Sequence, residues 1–215
     1  ENSKLQLKTM VEATACDFSE LGTILAEDLS AYEQMVNEDN TKVWVKEVEK
    51  HFVVRGQATV TGDYDLAKLF DIPVDLTKRM QWQDKLKKAE VVEKQSDTAD
   101  VVYLEMSFPF PMENRDMVNQ RIHFSNKKHP DLVTKYGLPV KDNEYCIVAS
   151  KSITRADKPV VKGKTRADMK LAFFIFEQDA ADAKKFHLTF FNHTDMKLSV
   201  SPGKSKVGQS AGKDL

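Results

Sequence analysis

Two arginines and the residues spaced around them carry most of the chemistry this chain offers. Beyond Asn114-Arg115-Asp116 the sequence alternates, so that Met117, Asn119, Arg121 and His123 share one face of a strand and Val118, Gln120, Ile122 and Phe124 the other. A strand buried on both sides favours two apolar faces; a row of amide, guanidinium and imidazole is not what a plain core wants. A guanidinium in such a row has two natural partners, a carboxylate that neutralises it within the fold or a phosphate diester brought from outside. Both readings stay open for Arg121. Arg79 stands three residues before Trp82, which puts the two on one face if the segment Asp75 to Lys88 is helical. Trp82 itself reads as a core aromatic or as a contact to something bound.

Nucleophilic and metal chemistry find little support. The five histidines are scattered, with no His-x-x-x-His spacing and no Ser-His-Asp constellation. Cys16 and Cys146 have no metal-ligand or Cys-x-x-Cys spacing and read as buried thiols. No catalytic residue, metal or cofactor is expected. An enzyme using Asp116, Arg121 or His123 in a cavity is the rival, and it requires an inward-facing group of shifted pKa. The inward row as read holds no carboxylate. Arg115-Asp116 reads as a structural salt bridge or turn fixing the loop after two prolines.

These side chains need a frame. The chain has 215 residues, 41% hydrophobic content and a net charge of −1, which suits one globular unit and offers no field for nucleic acid. No stretch approaches the ~20 apolar residues of a membrane span. Leu21, Ile24, Leu25, Leu29, Tyr32, Met35 and Val36 recur at helical spacing, predicting a helix behind the box-like Asp17-Phe18-Ser19-Glu20. Residues 1–39 are therefore read as an N-terminal helical segment, with Met10 to Cys16 joining it or forming an earlier helix. Strands follow around Trp44, Phe52 to Val54 and Ala58 to Thr61, then short helices over Asp65 to Phe70 and Asp75 to Lys88, and a strand from Ala89 to Lys94. In the central pair, Val102, Leu104, Met106 and Phe108 point one way. Ser125 to Asn143 reads as a long surface loop with room for one helical turn between Pro130 and Gly137. Leu171 to Phe176 is apolar on both faces and must be covered on both. The tail opens with Ser201-Pro202, and Val207, Ala211 and Leu215 form a thin stripe beside Gly208 and Gly212. Glycine costs nearly 1 kcal/mol per site in a helix interior, so this helix needs something to pack on. The order of elements predicts an α+β fold, a curved antiparallel sheet gripping a C-terminal helix with a cavity between them.

The stretch DVVYLEMSFPFPMENRDMVNQR, from Asp100 to Arg121, resembles the core of the START lipid-transfer domains. KRMQWQDKL upstream, GKTRADMKL downstream, and Asp195-Met196-Lys197 before Pro202 resemble further motifs of that family in the same order, so the likeness spans residues 40–215. The wording is most similar to the phosphatidylcholine-transfer type. The resemblance implies a helix-grip fold with a lipid tunnel under the C-terminal helix. It also implies lipid transfer or lipid sensing rather than catalysis, by a monomer that meets membranes transiently in the cytoplasm or at membrane peripheries. A phospholipid is expected ahead of a sterol. Arg79 matches a phosphate-contacting arginine and Arg121 a cavity arginine of sterol-type members. The expected lining comprises Arg79, Trp82, Leu104, Met106, Phe108, Met117, Asn119, Arg121 and Phe173 or Phe174, with Val207, Ala211 and Leu215 on the lid. Leu104 and Met117 stand where the phosphatidylcholine type carries aromatics that cage choline, which implies broad headgroup tolerance, since cation–π recognition needs ring faces. The turn Ala156 to Gly163, with Pro159-Val160-Val161, occupies the place of a lipid-insertion loop.

Overall fold

The computed structural model describes residues 16–199 and 202–213. Ten strands form one sheet: β1 (Glu33–Asn37), β2 (Thr41–Val48), β3 (His51–Thr61), β4 (Leu86–Lys94), β5 (Ala99–Met106), β6 (Asn114–Ser125), β7 (Tyr145–Ser152), β8 (Lys164–Arg166), β9 (Asp168–Gln178) and β10 (Lys185–Asp195). The spatial order is β1-β2-β3-β10-β9-β7-β6-β5-β4, with antiparallel neighbours throughout. The short β8 pairs in parallel with the start of β6. Among the described residues five α-helices accompany the sheet: α1 (Leu21–Ala26), α2 (Leu66–Val74), α3 (Leu76–Trp82), α4 (Pro130–Lys135) and α5 (Lys204–Lys213).

This order sets one geometric demand. β3 and β4 follow each other in sequence but stand six positions apart in the sheet, a span of about 29 Å at ~4.8 Å per strand. The connection must cross a face of the sheet, and it does so as α2 and α3. Leu66, Leu69 and Phe70 of α2 pack on Cys146, Phe176 and Phe186. Leu76 of α3 packs with Leu86, Val102, Leu104 and Met117. The other side of the sheet carries a separate core, in which Ile147, Leu171, Phe173 and Phe191 meet Phe18 and Leu21 from the α1 region and Val133 and Tyr136 from α4. The run Leu171 to Phe176 is thus divided between two covered faces, as its double-sided hydrophobicity predicts.

The expected helix from Ser19 to Val36 is corrected to three pieces. α1 stops at Ala26, a single 3-10 turn covers Leu29–Ala31, and Glu33–Asn37 is β1. Met35 and Val36 pack on Val43 and Val45, and Gln34 pairs with Trp44 in the ladder. Helical spacing across this segment arose from two adjacent elements that each bury a few residues, a case in which period alone does not discriminate. Asp17 accepts bonds from the Ser19 amide (2.8 Å) and hydroxyl (2.9 Å), closing a turn. Glu20, the other half of the expected box, meets Lys151 at 2.8 Å. The turn expected between Pro130 and Gly137 is α4, and its segment closes the outer core through Val133, Tyr136 and Leu138. The expected earlier helix over Met10 to Cys16 involves residues outside those described, apart from Cys16, and so do Ser201 and Leu215.

The C-terminal helix has the packing its glycines call for. α5 lies over β1, β2 and β3, with Val207 and Ala211 among Met35, Val36, Val43, Val45 and Phe190. A Cβ on Gly208 would stand 2.3 Å from the Met35 Cβ. An alanine in place of glycine ordinarily stabilises a helix by nearly 1 kcal/mol; Gly208→Ala is expected to do the reverse, by about 1–3 kcal/mol from overpacking. A urea denaturation midpoint at or above the wild-type value would show that α5 does not seat on β1 and β2 this closely.

Candidate functional site: a vault under the crossover helices

The candidate site, called the vault, is the layer between α3 and the sheet face that carries Val102, Leu104, Met117, Asn119 and Arg121, in which Leu76 packs with Val102, Leu104 and Met117. Leu76, Arg79 and Gln83 follow each other at three and four residues, so they share the helix face that looks down. Leu76 meets Leu104 and Met117 below it. Asp75 holds the start of α3 by accepting from the amides of Thr77 (2.8 Å) and Lys78 (3.4 Å). At the other end of α3, the Trp82 ring stands edge-on to Phe174, 6.4 Å between centroids at 88°. Phe174 in turn lies 4.9 Å from Phe190, which packs beside Val207 of α5. A line of three rings therefore runs from the crossover helices to the C-terminal helix.

Arg121 sits in the floor, 1% exposed, and its donors are engaged. Nε donates to Asp100 Oδ1 (2.8 Å) and Nη2 to Asp100 Oδ2 (2.7 Å), a bidentate ion pair. Nη1 donates to the carbonyls of Val74 (3.1 Å) and Pro73 (3.4 Å), at the junction of α2 and α3. Of the two partners open to this guanidinium, the fold supplies the carboxylate. The expectation of an inward row without a carboxylate is corrected: Asp100 continues the alternation of Val102 and Leu104 and is buried on the same face. His123 Nε2 lies 3.7 Å from Asp100 Oδ2. Burial holds the His123 pKa below the ordinary histidine value, and Asp100 opposes this only in part.

Arg79 is different. Nε donates to Gln83 Oε1 at 2.9 Å, and among the described residues it has no carboxylate partner. Its side chain is half-buried. Loss of hydration and repulsion from Arg121 lower its pKa to about 10, so it stays charged at neutral pH. Three residues on, the buried Trp82 Nε1–H has no hydrogen-bond partner. An open cleft of about 430 Å3 lies beside the helix junction, lined by Val74, Leu76, Arg121 and His123 and by the carboxylates of Asp75, Glu90, Asp97 and Asp100.

The other expected site residues sort by position. Leu104 and Met117 are buried beneath α3, and Met106 packs at the edge of the same cluster. Asn119 is engaged by its neighbours, accepting from Ser152 Oγ (2.9 Å) and lying 3.4 Å from the Met169 sulfur. Phe174 faces the vault, whereas Phe173 does not: alternation turns it to the opposite side, where it stacks on Phe191 at 5.1 Å. Phe108 lies past the end of β5 and covers the Arg115 guanidinium at 4.7 Å. Arg115 donates to the carbonyls of Met196 (2.8 Å) and Lys197 (3.2 Å), and Asp116 is paired with Arg166 at 2.8 Å, so the expected Arg115–Asp116 pair is corrected: both hold the frame, each through a different partner. Among the described residues no group of three or more His, Cys, Asp or Glu gathers as a metal site.

A model of the START domain family matches residues 25–202. The chain belongs to the START domain family. Mouse phosphatidylcholine transfer protein is 28% identical over 127 residues, 59% of this chain and 53% of that protein. The bovine phosphatidylcholine transfer protein is 39% identical over 64 residues, 28% of this chain and 29% of that protein. The matches thus span about half of the mouse relative and less than a third of the bovine one. Among solved structures, human STARD10 superposes with a TM-score of 0.71 at 19% identity, covering 94% of this chain and 76% of that one. Human StAR-related lipid transfer protein 5 gives 0.69 at 15% identity, covering 92% and 86%. These likenesses establish the helix-grip fold: a curved, mostly antiparallel sheet with a C-terminal helix. The family is one of lipid binding and transfer. No described helix of this START domain is long and apolar enough to cross a membrane.

Two expectations follow. Replacing one partner of the Arg121–Asp100 pair leaves the other charge buried, so Asp100→Leu or Arg121→Met should each cost about 3–5 kcal/mol, while the double variant costs less than either. Additive losses in urea unfolding would mean that the two side chains act independently. His123 and His193 are both held below their ordinary pKa by burial. The unfolded chain therefore binds more protons than the folded one as pH falls through about 6.5. Stability should drop on that limb, and His123→Gln should flatten the slope in a pH series of thermal midpoints.

Proposed function

We propose that this START domain binds one glycerophospholipid in the vault and carries it between membranes, as a monomer that touches each bilayer transiently. The observation that carries the reading is Arg79: a half-buried guanidinium that has no carboxylate partner among the described residues, three residues before a tryptophan whose buried indole N–H lacks an acceptor. A buried charge needs a counter-charge, and a phosphate diester supplies one in a geometry that a guanidinium can grip with two bonds. The acyl chains would lie along Leu104, Met106, Met117 and the rings of Phe174 and Phe190. Two chains bring about thirty methylenes, each worth roughly 0.8 kcal/mol on burial, so free diffusion of a lipid through water is negligible and an apolar carrier removes most of the barrier. No catalytic group is required. Asp100, the inward carboxylate, is held by Arg121 with both oxygens, which argues against a free general base.

One end of the protein offers a surface for the bilayer. Phe110 is 97% exposed at the tip of the β5–β6 loop, near Met112, and Val160 and Val161 are exposed on the neighbouring β7–β8 loop. Thr165 Oγ1 donates to Glu113 Oε2 at 2.8 Å, so these loops sit side by side. The carbonyls of Met196 and Lys197, leading towards α5, accept from Arg115 at the same end. A vesicle-to-vesicle transfer assay tests the whole reading. Arg79→Ala should weaken phospholipid binding by about 1.5–3 kcal/mol, the range for hydrogen bonds to a charged group. Phe110→Asp should slow transfer while leaving the amount of lipid bound unchanged. Full transfer by both variants would refute the assignment of these residues, and a folded protein that binds lipid yet transfers none would be a sensor rather than a carrier.

A further inference from the structure

We propose that α3 is the lid of the lipid site, swinging on Asp75 and Gln83, while α5, where the resemblance puts the lid, stays seated. This rests on the carrier reading above and adds the moving part to it. The need for a lid comes from volume. The layer under α3 is filled by side chains, with Leu76 packed directly on Val102, Leu104 and Met117. The cleft beside it offers about 430 Å3. Two acyl chains with about thirty methylenes fill about 900 Å3 if each methylene takes the ~30 Å3 of a liquid water. A diacyl lipid therefore cannot enter this layer until one of its walls moves.

The walls differ in how they are attached. The floor is β5 and β6, joined by a continuous ladder. α2 has a core of its own, and Arg121 holds the carbonyls of Pro73 and Val74 at its end. α5 sets Val207 and Ala211 among Met35, Val36, Val43, Val45 and Phe190. A Cβ on Gly208 would stand 2.3 Å from the Met35 Cβ, and one on Gly212 3.2 Å from Val36 Cγ2. Backbone this close to its neighbour leaves no room for an acyl chain between them. α3 is held far less. Of its seven residues Leu76 alone is buried, and Thr77, Lys78, Met80 and Gln81 are exposed. Among the described residues no hydrogen bond from α3 reaches the sheet; Arg79 bonds Gln83, at the end of its own helix, and travels with it. The ion pair of Lys78 with Asp71 crosses the junction to α2 at the surface, where such pairs hold weakly. Trp82 meets Phe174 edge-on, and its indole N–H has no acceptor to lose. The helix is bounded by two non-helical residues, Asp75 (φ −72°, ψ 111°) and Gln83 (φ −95°, ψ 82°). Changes of φ and ψ at such element ends turn a helix as a body and leave its own bonds intact. The cleft is already the gap at this hinge, with Val74 to Thr77 on one side and Ala89 and Val91 of β4 on the other. Swinging α3 outwards extends that gap over Leu104 and Met117.

The test places spin labels on exposed positions and reads the distance between them by double electron–electron resonance. One pair, Met80→Cys with Val91→Cys, reports α3 against β4; the other, Gln34→Cys with Gln209→Cys, reports α5 against β1. The native thiols are shielded, Cys146 by full burial and Cys16 by partial burial that raises its pKa, so the new cysteines are labelled first. Each delipidated protein is incubated with phosphatidylcholine vesicles, re-isolated, and its lipid load counted by native mass spectrometry. Loading is expected to lengthen the α3–β4 distance by several ångströms and to leave the α5–β1 distance as it was. Movement of α5, alone or with α3, overturns the inference, and so does a loaded protein in which neither distance changes; the carrier reading survives both results. A folded wild-type protein that takes up no lipid from these vesicles overturns the carrier reading itself, and this inference with it.

Discussion

The bidentate bond between Arg121 and Asp100 is the contact on which the vault depends. Both residues lie on adjacent strands and would be costly to bury alone. Together they present two further N–H bonds upward, and these bonds hold the carbonyls of Pro73 and Val74 at the point where α2 ends and α3 is about to begin. That junction is the middle of a connection bridging six strand positions. Fixing it sets the height and direction of α3 over the sheet, and hence where Arg79 and Trp82 stand. The charge in the floor thus serves the roof.

Much of this was legible in the sequence, and the failures have physical causes. The alternation through β5 and β6 assigned Leu104, Met117, Asn119 and Arg121 to one face, because strand period is two and leaves no ambiguity once a register is chosen. The same rule places Asp100 there, although the row as read began at Val102 and missed it. Phe173 and Phe174 were harder: in a strand apolar on both sides, period says that they diverge and cannot say which one faces the cavity. Covering elements settle that, and α1 and α4 lie on the Phe173 side. The segment around Tyr32 to Val36 misled because a short amphipathic strand and a helix share apolar spacing over so few residues. Nothing in the sequence points to the Pro73 and Val74 carbonyls as partners of Arg121, since backbone groups carry no sequence signal.

The motif resemblance and the structure bear on different questions. Family membership fixes the fold and the class of ligand, and relatives named as phosphatidylcholine transfer proteins share 28% and 39% identity over parts of their length. Around α3 the chain sets a guanidinium, Arg79, over an apolar floor that includes Leu104 and Met117. Specificity is a difference between affinities, and a site can change it by losing a contact as readily as by gaining one.

The crossover has a further effect, on the order in which the protein can assemble. As the chain leaves the ribosome, the roof is made before its floor. Trp82 meets Phe174, which is synthesised 92 residues later, and β3, already paired with β2, finds its second neighbour only when β10 has emerged. Until then the seat of α2 lacks Phe186, and β3 presents an open edge. Long-range pairing of this kind slows folding and prolongs the lifetime of sticky intermediates. A nascent chain of this topology is therefore most exposed to aggregation, and most in need of a chaperone, over the interval between the completion of α3 and the completion of β10.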